Sequence, residues 1–292
     1  MLKNNYHSRL FLVVSLVSII ALFAGYNSAI ASTEDLIVYS ARGDVPNVQR
    51  LIREGANVNT ANNKGVTSLY MASQQGHHET VKLLLDADAN ANAVDNNGIT
   101  VLMIAVVNGH SEIVQLLLDS SADVDAAKSE GSTSLWFASQ NGHQETVKLL
   151  LDANANVNAT GSNGYTPLMI ASQNGHQETV KLLLDADANV NAANNDGITP
   201  LLKASQNGNQ EIVKLLLDAN ANVNAAINSG GTSLMIASDN GHYETVKLLL
   251  DAGANVNTVA SYGYTALLMA SQNGDSRMIE LLKEYGAVSN KE

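Results

Sequence analysis

The chain has 292 residues, enough by ordinary domain size for about two globular domains unless a repeat sets the length. Its formal charge of −12, from 16 basic and 28 acidic side chains, leaves too few cations to displace counterions from phosphates, which argues against a DNA or RNA partner. An apolar fraction of 45% with 15% charged residues is foldable material and not a disordered acidic tail, and the absence of Cys removes disulfides, thiolate metal sites and Cys nucleophiles.

The N-terminus reads as an address. Lys3, His7 and Arg9 precede an apolar run from Leu10 to Ala24, and Ala29-Ile30-Ala31 supplies a small-x-small cleavage site. The run is shorter than the roughly twenty residues that cross a bilayer comfortably, so residues 1–31 are expected to be a cleaved Sec signal and not an anchor. Cleavage after Ala31 removes Lys3 and Arg9 and takes the charge from −12 to −14. The protein is therefore expected outside the cytoplasm, periplasmic or secreted, with no membrane contact once the signal is gone.

From there a period of 33 residues organises the chain. Gly65, Gly98, Gly131, Gly164, Gly197, Gly230 and Gly263 keep that spacing, and so do Gly43, Gly76, Gly109, Gly142, Gly175, Gly208, Gly241 and Gly274. One period runs Gly164-Tyr165-Thr166-Pro167-Leu168-Met169-Ile170-Ala171, Asn174-Gly175-His176, Glu178-Thr179-Val180-Lys181-Leu182-Leu183-Leu184-Asp185 and Ala188-Asn189-Val190-Asn191. This resembles the ankyrin repeat, whose period is about 33 and whose signature is T-P-L-H-x-A. The resemblance covers residues 34 to 290 and implies an all-α ankyrin repeat solenoid of helix-turn-helix units joined by β-turn loops, eight repeats of 33 residues. The expected boundaries are an N-terminal capping repeat at 32–61, six central repeats (62–94, 95–127, 128–160, 161–193, 194–226, 227–259) and a C-terminal capping repeat at 260–292.

The residues justify the local structure independently. Thr67, Thr100, Thr133, Thr166, Thr199, Thr232 and Thr265 each precede an apolar run, where the hydroxyl can cap a helix. Pro167 and Pro200 follow at the first helical position, where a missing N–H costs nothing. The first helix of each repeat, helix one, ends at a glycine such as Gly175. Helix two starts near His-x-Glu, pairs Glu178 with Lys181, and buries Val180, Leu183 and Leu184. The signature His is replaced by Tyr70, Met103, Trp136, Met169, Leu202, Met235 and Leu268, so a polar tie is expected to become apolar packing. The left-handed position after helix two carries Asp88, Ser121, Asn154, Asp187 and Asn220, with Gly only at 55, 253 and 286. Arg42, Arg50, Arg53 and Glu54 at one end, and Arg277, Lys283 and Glu284 at the other, put charge where no neighbour covers the array.

Candidate chemistry yields little. His77, His110, His143, His176 and His242 align, but one repeat apart means about 10 Å, too far for shared ligation. Adjacent His77 and His78 face different sides of a helix. Asp86-x-Asp88-x-Asn90 and Asp185-x-Asp187-x-Asn189 begin like calcium loops but lack Gly at the sixth and Glu at the twelfth position. No nucleophile elbow, P-loop or dinucleotide turn occurs, so neither catalysis nor a cofactor is expected.

What varies between near-copies is the turn tip. In ankyrin proteins that edge and the adjoining end of helix one form a concave, partner-gripping face. The resemblance therefore implies contact through Val66, Ile99, Tyr165, Ile198, Tyr262 and Tyr264, with Gln74, Gln140, Gln173 and Gln206 beside them. The expected function is a non-catalytic protein-interaction scaffold, its charge favouring a basic or neutral partner. Two other roles fit the layout: a periplasmic stabiliser of an enzyme such as a catalase, and a secreted effector engaging host proteins.

Overall fold

The computed structural model describes residues 34–289; the expected signal at 1–31 lies outside the described residues. Sixteen helices are found among them and no strand. The chain forms two compact bodies, one ending at Ala122 and the other starting at Asp123.

The first body holds α1 (34–42), α2 (Val45–Arg53), α3 (Ser68–Gln75), α4 (His78–Asp86), α5 (Val101–Val107) and α6 (Ser111–Asp119). Within it α3 packs on α5, and α4 packs on both α2 and α6, so helix-one and helix-two layers run side by side. The second body continues the pattern with α7 (Ser134–Asn141), α8 (Gln144–Asp152), α9 (Pro167–Asn174), α10 (Gln177–Asp185) and α11 (Pro200–Gln206). It ends with α12 (Gln210–Asp218), α13 (Ser233–Asp239), α14 (Tyr243–Asp251), α15 (Ala266–Gln272) and α16 (Ser276–Glu284). There α7, α9, α11, α13 and α15 stack in sequence as the helix-one layer, and α8, α10, α12 and α14 as the helix-two layer. No described helix is long and apolar enough to cross a membrane.

The caps form as the residues require. Every expected Thr accepts from the backbone N–H three residues on, as Thr166 Oγ1 does from Met169 N at 3.2 Å. Pro167 and Pro200 open α9 and α11. Asp88, Ser121, Asn154, Asp187 and Asn220 all adopt φ between 61° and 64°, the left-handed position expected of them. Single antiparallel bridges, such as Val94 with Thr100, close four of the turns.

Helices of seven to nine residues are too short to persist alone, so burial between neighbours holds them. In α10, Thr179, Val180 and Leu183 are fully buried, whereas Leu184 is half-buried, which narrows the expected stripe. Met103, Met169, Leu202 and Met235 at the former His position are buried, but Trp136 is half-buried and Leu268 is 38% exposed. Tyr70 departs from the expectation of purely apolar packing: its phenol lies close enough to the Asp95 carboxylate of the next repeat to feel its charge. Burial, and then that carboxylate, push the Tyr70 phenol up to about 12.

Two polar ladders also tie neighbouring repeats within each body. In the Asn-x-Asn segments, Asn191 Oδ1 accepts from Asn222 N at 2.7 Å while its Nδ2 donates to Asn220 O at 3.3 Å. Asn59, Asn224 and Asn257 repeat both bonds. At the start of helix two, His77, His110, His176 and His242 each donate Nε2–H to a carbonyl of the preceding repeat at 3.0 to 3.2 Å. Because a carbonyl only accepts, the ring must carry its proton on Nε2. Gly142 matters doubly here: its φ is +68°, and a Cβ would lie 2.5 Å from the His176 ring.

Candidate functional site

The turn tips differ with the residue that opens them; Lys128 and Ile227 open theirs with backbone bonds to Ser132 O and Gly231 O. Where the turn opens with Asn or Asp, that side chain fixes the loop. Asn62 Oδ1 accepts from Val66 N at 3.1 Å, Asp95 Oδ1 from Ile99 N at 2.8 Å, and Asn194 Oδ1 from Ile198 N at 2.9 Å. Val66, Ile99 and Ile198 are consequently half-buried and held with their backbone bonded inward. Where Gly161 or Ala260 replaces the Asx residue, the tip instead becomes a 3-10 turn, at Ser162–Gly164 and Ser261–Gly263. Asn163 and Tyr262 then take φ of 57° and 62°.

For Asn this is tolerable; for an aromatic side chain it is rare. Tyr262 is 97% exposed and Tyr264 39%, while Tyr165 is half-buried. Between neighbouring tips the backbone is laced across repeats, as in Ser261 N to Ser229 O at 2.9 Å and Asn228 N to Asp196 O at 3.0 Å.

Beside Tyr262 and Tyr264 the second body has an open depression of about 260 Å³ with Ile227, Met235, Ile236 and Met269 in its wall. Its lining is mainly apolar, and Gly231 keeps one side low. A second hollow, of about 230 Å³, lies in the first body among His78, His110 and Glu112, at the helix-two starts. It is more polar, and His110 there is already engaged by Gln74 O. Among the described residues no group of three or more His, Asp or Glu could hold a metal ion.

The glutamines divide in an informative way. Gln74, Gln140 and Gln173 are half-buried and Gln206 exposed, yet their carbonyls, not their amides, carry the inter-repeat bonds. The adjoining asparagines do the tying: Asn174 Nδ2 donates to Gln140 O at 2.8 Å, and Asn207 Nδ2 to Gln173 O at 2.6 Å. Half of the uniform polar row is therefore structural. Neither the ladders nor the depression was identified from sequence; the recurring Asn-x-Asn pair was the available signal for the first.

Hairpins of fixed length, stacked within each body and with neighbouring turn tips bonded backbone to backbone, define a helical repeat protein. The ankyrin repeat family model, spanning three copies, matches residues 36–128, 121–194, 187–260 and 227–292, so the chain belongs to the ankyrin repeat family. Ankyrin repeats are in general protein–protein interaction modules, and proteins built from them are typically non-enzymatic binding scaffolds. A search of the curated proteins finds no match.

Proposed function

We propose that this protein is a non-catalytic scaffold, exported from the cytoplasm, that grips a partner protein through its turn tips and the exposed end of helix one. The observation that carries the reading is Tyr262. A nearly fully exposed aromatic ring at left-handed φ costs conformational energy and packs against little, so folding alone does not account for it. It stands beside Tyr264 and an apolar depression, the arrangement in which an exposed patch gains by being covered. Export rests on the basic start, apolar run and Ala29-Ile30-Ala31 of the N-terminus.

The test is affinity capture from the native compartment with the purified protein, repeated with Tyr165, Tyr262 and Tyr264 each changed to Ala. Capture of one specific protein that falls with Tyr262→Ala and Tyr264→Ala supports the reading. Capture unaffected by all three changes places the contact elsewhere.

A further inference from the structure

Resting on the binding face just described, we propose that Lys203 receives an acidic side chain of the partner, one repeat away from an apolar anchor that fills the depression beside Tyr262 and Tyr264. The partner is thus a protein segment carrying a single carboxylate close to a large apolar residue, within a surface otherwise neutral or basic as the chain's formal charge of −12 favours.

One row of helix one runs into the depression, at Ile236 and Met269. In the second body this row reads Phe137, Ile170, Lys203, Ile236 and Met269, spaced by 33 residues, and Lys203 is its one charged member. Ile170 is buried; the others, Lys203 included, are half-buried. A Lys in such a row lays its stem along apolar surface and keeps its ammonium at the solvent edge, where a neighbouring group can engage it. Within the chain that engagement is weak. Nζ is 3.4 Å from Gln206 Oε1 and 5.5 Å from the centre of the Tyr165 ring.

Among the described residues no carboxylate lies within ion-pair distance of Lys203. Lys181, on the helix-two layer, has Glu178 at 2.6 Å. The acids nearest in the repeat pattern, Asp196 at a tip and Asp239 at the end of α13, are engaged by Asn163 Nδ2 at 2.8 Å and Asn273 Nδ2 at 3.4 Å. An amide and a ring face therefore orient the ammonium without neutralising it. A carboxylate brought in by a partner would complete the pair, and covering the face would strengthen it by excluding water.

The spacing follows from the stack. Lys203 on α11 and Ile236 on α13 occupy equivalent positions on adjacent packed helices, about 10 Å apart. Ile236 forms part of the wall of the depression. A polyproline-II-like segment places residues three apart on one side at about 9 Å, so the acid and the anchor are expected three residues apart.

The test is selection of a random-peptide display library on the purified protein, followed by anisotropy titration of the best synthetic peptide. The expected peptides carry Asp or Glu three residues from Leu, Phe or Met. Lys203→Gln should weaken binding about tenfold or more, with an unchanged melting profile. Lys203→Glu should weaken it further, and a peptide with Lys in place of the acid should recover binding to that variant. Selection that yields no binder, or binders without an acid, overturns the proposal. If Lys203→Gln and Lys203→Glu bind like the unaltered protein while Tyr262→Ala fails, Lys203 is excluded and the binding face stands. If neither Lys203 nor Tyr262 matters, both readings fall.

Discussion

Asn191→Ala removes one rung of the asparagine ladder and leaves the apolar seam intact. Two bonds to the next repeat are lost, Oδ1 to Asn222 N at 2.7 Å and Nδ2 to Asn220 O at 3.3 Å. Both sites are exposed, so water resolvates the freed groups and each bond counts only its net value, about 1 kcal/mol for the shorter and about 0.5 for the longer. The expected loss of about 1.5 kcal/mol lowers the urea midpoint by roughly 0.5 M or more at ordinary denaturant slopes. Asn191→Asp keeps the acceptor and loses the donor, so it should cost less than the alanine change. The chain already contains the reverse case. Asp125 Oδ1 accepts from Asn156 N at 2.8 Å, but a carboxylate has no N–H for the carbonyl of Asn154. Asp125→Asn should therefore stabilise by about 0.5 kcal/mol. Far-UV dichroism follows the whole array, and Trp136, the single Trp, reports on the second body. An unchanged midpoint for Asn191→Ala, or a lower one for Asp125→Asn, would refute the ladder as a source of stability.

Ser121 sits at φ 62° with no Asx side chain to ease it, so Ser121→Gly should gain about 0.5 kcal/mol, read as a higher Tm. Gly142→Ala is its opposite: a left-handed φ and a ring 2.5 Å from the new Cβ should cost about 2 kcal/mol or more. Tyr70, with its phenol raised to about 12, binds its proton more tightly folded than unfolded. Its contribution is complete below the ordinary phenol value of about 10 and is lost as pH rises towards 12, so Tyr70→Phe should flatten alkaline destabilisation in that window.

Much of the fold is legible because each repeat restates its own rules. Thr166 before Pro167 starts a helix, Gly175 ends it, and neither needs a distant partner to be recognised. The left-handed positions are equally local: Asp88, Asn154 and Asn220 occupy a place that Gly253 fills in another copy. What hides from the sequence is whatever joins one repeat to another. His176 looks like a helix-start residue until its ring is found under Gly142, bonded to Gln140 O 36 positions earlier. Tyr70 reads as one more apolar replacement until the carboxylate of Asp95, from the following repeat, is found beside its phenol. The site suffers most from this. Val66 and Tyr262 are both tip residues in the sequence, yet an Asx side chain draws one inward while a 3-10 turn thrusts the other out.

The central claim is that binding occurs on the tips and helix one, not on the outer helix-two layer. Amide hydrogen exchange with and without the captured partner tests it most directly. Slowed exchange confined to peptides covering 195–207, 228–240 and 261–273 is the result expected. Protection of α10, α12 and α14, with the tips unchanged, would contradict it.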